Sequence, residues 1–87
     1  MTEAGNADPI ASFLHDLLVK LVDDPAAVLV RVSGGNPTLY EATVAQADIG
    51  QVVGREGRIV KSIRALVSAA AQKRGEDATF EIADSQD

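Results

Sequence analysis

The stretch that most constrains this chain runs from Asp48 to Arg64 and reads DIGQVVGREGRIVKSIR. Two glycines, Gly54 and Gly57, stand three apart, with Val52 and Val53 before them and Ile59, Val60 and Ile63 after. Apolar residues at helical spacing on both sides of a glycine-bounded gap predict a short helix, a tight turn and a long amphipathic helix. Asp48 is a candidate N-cap for the short helix, because its carboxylate can accept from the first N–H groups. Gly54 suits the end of that helix, where a left-handed backbone costs glycine nothing. Gly57 lets the second helix start with no side chain in the way.

This arrangement has a chemical consequence. A turn that opens a helix points backbone N–H groups outward at the positive end of the helix dipole. Two glycines allow a phosphodiester to reach hydrogen-bonding distance, and Arg55 and Arg58 flank the turn and can neutralise it. The spacing alone is weak support, because a Gly-x-x-Gly turn often does no more than join two helices, and the chain has 7 glycines in 87 residues.

Charge distribution sharpens the reading. The net charge of −5 is unpromising for a polyanion binder. Six of the eight basic residues, however, lie between positions 50 and 74, against Glu56 alone. That segment carries +5 and the rest of the chain −10. A basic stripe on an acidic body can hold a nucleic acid locally, with weak long-range steering. The alternative for the stripe is an ordinary solvated helix face; its position directly after the glycine turn favours binding.

The remaining elements follow from periodicity. Residues 1–7 are expected to be a tail, without the basic and apolar pattern of a secretory leader. Asp8 and Pro9 open a helix as N-cap and first residue. Ile10, Phe13, Leu14, Leu17, Leu18 and Leu21 give it one buried face, with Ser12, His15, Asp16 and Val19 pointing away. Asp23-Asp24-Pro25 stops it. Ala27 to Val32 is a strand with Val28, Val30 and Val32 on one face, and Thr38 to Ala45 a second with Tyr40, Ala42 and Val44 inward. The turn-rich Ser33 to Pro37 makes the pair a hairpin. In the long helix Ile59, Ile63, Leu66, Val67 and Ala70 form the buried stripe, with Lys61 opposite and Arg58 and Arg64 at its sides. Gly75 closes that helix, and Ala78 to Ile82 is a third strand with Phe80 and Ile82 inward. Residues 84–87 form an acidic tail.

The fold class is therefore α+β, in the order α-β-β-α-α-β. A right-handed crossover sets the third strand parallel to the second. The result is a three-stranded mixed sheet with three helices on one face, over residues 8–83.

Catalysis has no visible seat. There is no cysteine, His15 is isolated, and no carboxylate pair or metal-ligand cluster stands out. No enzyme activity, cofactor or metal is expected. The lack of cysteine fits a reducing compartment, and no apolar run reaches the roughly 20 residues needed to span a membrane.

The element order and the motif from Asp48 to Arg64 resemble the type II K-homology (KH) fold. Within it, the chain is similar to the small bacterial stand-alone KH proteins of the KhpA family. In KH domains the Gly-x-x-Gly loop clamps a backbone segment of about four nucleotides. Carried over residue by residue, the resemblance makes Gly54-Arg55-Glu56-Gly57 the clamp. Arg58 and Lys61 support the phosphates, with Arg64 farther along the basic face. Ile49, Val53 and Val60 line the groove for the bases. Glu56 departs from the basic or neutral residues common in such loops, which implies modest affinity.

The resemblance further implies a cytoplasmic, single-stranded-RNA-binding chaperone. It would act with a second KH protein of the KhpB type in post-transcriptional control of cell elongation and division, and so of cell shape and wall biogenesis. A homodimer is a further implied partner state. The competing reading is a protein-interaction module in which the KH fold mainly binds a partner protein; the charge of −5 and Glu56 favour it. With all three aromatics assigned to the core, stacking on exposed rings is not expected. A helix-turn-helix DNA binder fits poorly, because the helix before the turn has only about 1.5 turns. Changing Gly54 and Gly57 together to Asp is expected to abolish RNA binding with the fold retained.

Overall fold

A computed structural model describes residues 8–83; the predicted tails at 1–7 and 84–87 lie outside the described residues. Helix α1 spans Pro9–Leu21. Its start is fixed by Asp8, whose Oδ1 accepts the N–H of Ile10 at 2.8 Å and of Ala11 at 3.1 Å. The other carboxylate oxygen, Oδ2, accepts the Tyr40 hydroxyl at 2.8 Å. One aspartate thus caps the helix and ties it to the sheet. Burial pushes the Tyr40 hydroxyl up to about 12, and its bond to the Asp8 carboxylate adds to the shift.

After a single 3-10 turn at Pro25–Ala27 come strands β1, Leu29–Ser33, and β2, Thr38–Thr43. They pair antiparallel, with Val30 opposite Ala42 and Val32 opposite Tyr40. A 3-10 turn at Gln46–Asp48 leads into α2, Ile49–Val53; another at Arg55–Gly57 leads into α3, Arg58–Gln72. Strand β3, Ala78–Ile82, runs parallel to β2, with Tyr40 opposite Phe80. The sheet order is β1-β2-β3, so β3 keeps one open edge. The α-β-β-α-α-β order and the mixed sheet match the expectation from sequence.

Alternation along the strands explains the core. Val30, Tyr40, Ala42 and Phe80 point to the helix side and are buried, while Arg31 and Glu81 on the opposite face are exposed. Helix α1 lies against β1 and α3 against β3, and α2 meets both helices. Gly75 ends α3 with φ +73°, donating its N–H to the Gln72 carbonyl while Glu76 donates to that of Ala71. This paired closure is the Schellman arrangement.

Two helix faces differ from the predicted ones. Phe13 is 47 % exposed and Leu66 52 % exposed, although both fall on the predicted buried stripes. In α1 the fully buried set is Ile10, Ala11, Leu14 and Leu18, and in α3 it is Ile63, Val67 and Ala71. Each helix rotates its alanine inward, because a small side chain lets the backbone come closer to its neighbours. Val19, expected to point outward, is half-buried and packs against the core.

Candidate nucleic-acid interface

The site begins where α2 ends. The Gly54 N–H closes that helix on the Gly50 carbonyl at 2.9 Å. Gly54 then takes φ +81° and ψ +173°, a backbone region essentially reserved for glycine. The left-handed backbone expected at Gly54 holds for φ but not for ψ, and sequence reading missed a second constraint. A Cβ on Gly54 would lie 2.7 Å from Ile59 Cγ1, too close for any side chain. The Gly54→Asp change predicted to keep the fold therefore collides with Ile59.

Gly57 is different. It takes φ +74° and ψ +16°, the left-handed region, just before α3 begins. A Cβ there would meet only Lys61 Cε at 3.8 Å and Val60 Cγ1 at 3.9 Å, ordinary contacts. These distances also show what the turn brings together: an open backbone, the cation Lys61 and the aliphatic Val60 border one glycine. Between the glycines, Glu56 is the non-glycine residue with positive φ, at +57°. Such a backbone is uncommon outside glycine and clusters at functional positions.

The charged residues of the turn face solvent. Arg55, Glu56, Arg58, Lys61 and Arg64 are all exposed. The Arg58 guanidinium lies 3.5 Å from the Glu56 carboxylate, and both side chains are largely exposed. The acid in the turn thus has a cation beside it. This exposed pair is worth less than about 1 kcal/mol. Arg64 is held at one end: its Nε donates to the Phe80 carbonyl at 3.1 Å. That bond links α3 to β3, whose outer side is the open edge of the sheet. Arg64 therefore stands apart from the turn, at the sheet margin.

Ile49, Val53 and Val60, the predicted groove residues, are half-buried, and Ile49 and Val60 pack against the core. They present apolar surface beside the turn without being sealed inside. Two of the three aromatics, Tyr40 and Phe80, are buried and add no stacking platform. Phe13 is exposed, against the expectation that all three aromatics are internal.

Asp48 does not cap α2. No N–H of its own helix bonds its side chain. It is 2 % exposed, and its Oδ2 accepts the backbone N–H of Asp24 at 3.1 Å. Gln51, one turn on, donates from Nε2 to the Leu21 carbonyl at 3.2 Å. Sequence reading missed both ties. Asp48 has the residue type of a cap, and nothing local shows that its donor lies 24 residues upstream.

Among the described residues no cluster of His, Cys, Asp and Glu could hold a metal ion, and no helix is long and apolar enough to cross a membrane. The arrangement offers a backbone opening with cations and an aliphatic border, which suits a flexible anionic chain better than a compact ligand.

The chain is 42% identical over 71 residues to the RNA-binding protein KhpA of Chlamydia trachomatis, covering 80% of this chain and 91% of the relative. It is 36% identical over 84 residues to the RNA-binding protein KhpA of Borreliella burgdorferi, covering 97% and 100%. It is 40% identical over 70 residues to the RNA-binding protein KhpA of Clostridium acetobutylicum, covering 79% and 93%. No solved structure matches. The profile of the family described as KhpA/KhpB, KH domain, matches residues 11–82, nearly the whole described fold. The chain belongs to the KhpA/KhpB KH-domain family.

Proposed function

We propose that this protein binds single-stranded RNA, without catalysis, by clamping the sugar-phosphate backbone at Gly54-Arg55-Glu56-Gly57. One observation carries the reading: the turn holds positive φ at Gly54, Glu56 and Gly57 while Lys61 and Val60 border Gly57. A phosphate can approach Gly57 where any larger residue would intrude. Arg55, Arg58 and Lys61 supply the counter-charge, and Ile49, Val53 and Val60 give the bases an aliphatic wall. Arg64 extends the basic face toward the β3 edge. That the relatives are RNA-binding proteins supports the same reading.

From the family resemblance we further propose a cytoplasmic RNA chaperone that works with a KhpB-type KH protein in post-transcriptional control of elongation and division. The direct test is anisotropy of a fluorescein-labelled single-stranded RNA with wild type and Gly57→Asp. Aspartate tolerates the left-handed backbone better than most residues, so the variant keeps its fold while placing a carboxylate where the phosphate would sit. Loss of binding in the folded variant is the expected result; unchanged affinity moves the site elsewhere.

A second reading, a module that docks a partner protein or a second copy, has its own support. Phe13 and Leu66 are large, apolar and about half exposed. A shallow apolar hollow on α1 is lined by Phe13, Asp16, Leu17 and Lys20. Sedimentation of wild type beside Phe13→Ser and Leu66→Ser at high salt tests it. An assembly that dissociates in either variant supports docking, and a monomer throughout argues against self-association.

A further inference from the structure

We infer that Asp48 and Gln51 are positioning residues for the clamp, which hold α2 against the end of α1 and so set where Gly54 emerges. The inference rests on the RNA-clamp reading and names what keeps that site in shape.

Asp48 is the charged side chain found buried among the described residues. A buried polar side chain is costly to keep unless it is hydrogen-bonded. Its partner is informative. Instead of capping α2, it accepts the N–H of Asp24 at 3.1 Å. Gln51 lies three residues on, close to the same side of a helix. It donates to the carbonyl of Leu21, the last residue of α1, at 3.2 Å. Helix ends leave their last carbonyls without partners, so Leu21 offers a ready acceptor. Two ties, one from α2 and one from the residue just before it, therefore reach one four-residue segment, Leu21 to Asp24.

That helix needs outside support. Five residues are far too few for a stable helix by themselves. Within α2 only Val52 is fully buried. The clamp hangs directly from it: Gly54 donates to the Gly50 carbonyl at 2.9 Å, and Gly57 donates to the Gly54 carbonyl at 3.1 Å. Ile49 and Val53 ride on the same helix. A shift of α2 therefore moves the turn and two of the three aliphatic wall residues together. Binding falls in proportion to the fraction of molecules holding the competent geometry.

The experiment uses the full chain with Asp48→Ala, Asp48→Asn and Gln51→Met. Affinity for a short fluorescein-labelled single-stranded RNA of mixed sequence is read by anisotropy, well below each variant's unfolding temperature. Amide hydrogen exchange at Gly54 and Gly57 is read by NMR. Asp48→Ala is expected to weaken binding by about tenfold, the loss reached when only about one molecule in ten keeps the competent turn. It is also expected to speed exchange at both glycines. Asp48→Asn keeps an oxygen to accept the Asp24 N–H and should restore both readouts. Gln51→Met removes an exposed donor without threatening the fold, and should weaken binding severalfold while also speeding exchange. A lowered unfolding temperature with unchanged affinity and unchanged exchange at the glycines would reduce Asp48 to ordinary packing and overturn the inference. So would an Asn variant no better than Ala. If Asp48→Ala does not fold, Gln51→Met decides. If wild type binds no RNA, the clamp reading falls, and the exchange rates at Gly54 and Gly57 still decide whether the two ties hold the turn.

Discussion

The two glycines of the turn should respond very differently to alanine. At Gly54 two costs add. The backbone, φ +81° and ψ +173°, lies in a region that strains other residues by about 1–3 kcal/mol. The new Cβ would also sit 2.7 Å from Ile59 Cγ1 and 3.0 Å from its Cβ and Cδ1. Ile59 is β-branched, stiff at χ1 and packed against the core, so it cannot swing away. Forcing such a contact adds about 1–3 kcal/mol. Less the roughly 0.4–1 kcal/mol that a stiffer unfolded chain returns, Gly54→Ala should therefore cost about 1–5 kcal/mol, a large share of the roughly 5–15 kcal/mol typical of a native domain. At Gly57 the left-handed backbone costs alanine about 1–2 kcal/mol, and the nearest atoms, 3.8 and 3.9 Å away, do not clash. The stiffer unfolded chain returns about 0.4–1 kcal/mol, leaving a net loss near 1 kcal/mol. Urea unfolding followed by far-UV circular dichroism measures both. Equal losses at the two positions, or a larger loss at Gly57, would refute the reasoning.

Three further predictions follow from the core. The Tyr40 hydroxyl is raised to about 12 by burial and by its bond to Asp8, so its contribution is complete below about pH 10, the ordinary tyrosine value. Stability should fall as pH rises from about 10 to 12, and unfolding of Tyr40→Phe should lose most of that dependence. Asp8→Ala removes two N-cap bonds and the acceptor for Tyr40, and should lower stability by about 2 kcal/mol or more in urea titration. Phe80→Ala should cost about 3–5 kcal/mol, whereas Phe13→Ser, at a half-exposed position, should cost about 1 kcal/mol or less; equal costs would place Phe13 in the core.

Local signals in this sequence translated well into local structure. Asp8-Pro9 starts α1, Gly75 ends α3, and alternation around Tyr40 and Phe80 set the strands and their inward faces. The parallel placement of β3 followed from the crossover rule. The glycine turn was legible because two glycines three apart interrupt the helical spacing; positive φ was expected at Gly54, and the structure adds it at Gly57. What sequence did not show depends on contacts between distant segments. The width of each buried helix face depends on how close its neighbours come, so Ala11 and Ala71 turned inward while Phe13 and Leu66 remained outside. Asp48 reads as a cap because its side chain suits one, yet its donor is a backbone N–H supplied by the α1–β1 connection. Arg64 reads as part of the basic face and Gln51 carries no reading of its own, yet each, though exposed, bonds a carbonyl of another element. The closeness of Ile59 to Gly54 arises only once α3 folds back over the turn.

The central claim is that RNA lies on the turn and on the apolar strip beside it. The most direct measurement is an amide chemical-shift map of isotope-labelled protein titrated with single-stranded RNA. The account predicts the largest shifts from Gly54 to Lys61 and at Ile49 and Val53, fading as salt competes for the phosphates. Shifts centred on Phe13 and Leu66, or on Arg31 and Glu81 across the open sheet face, with the glycine turn unmoved, would contradict it.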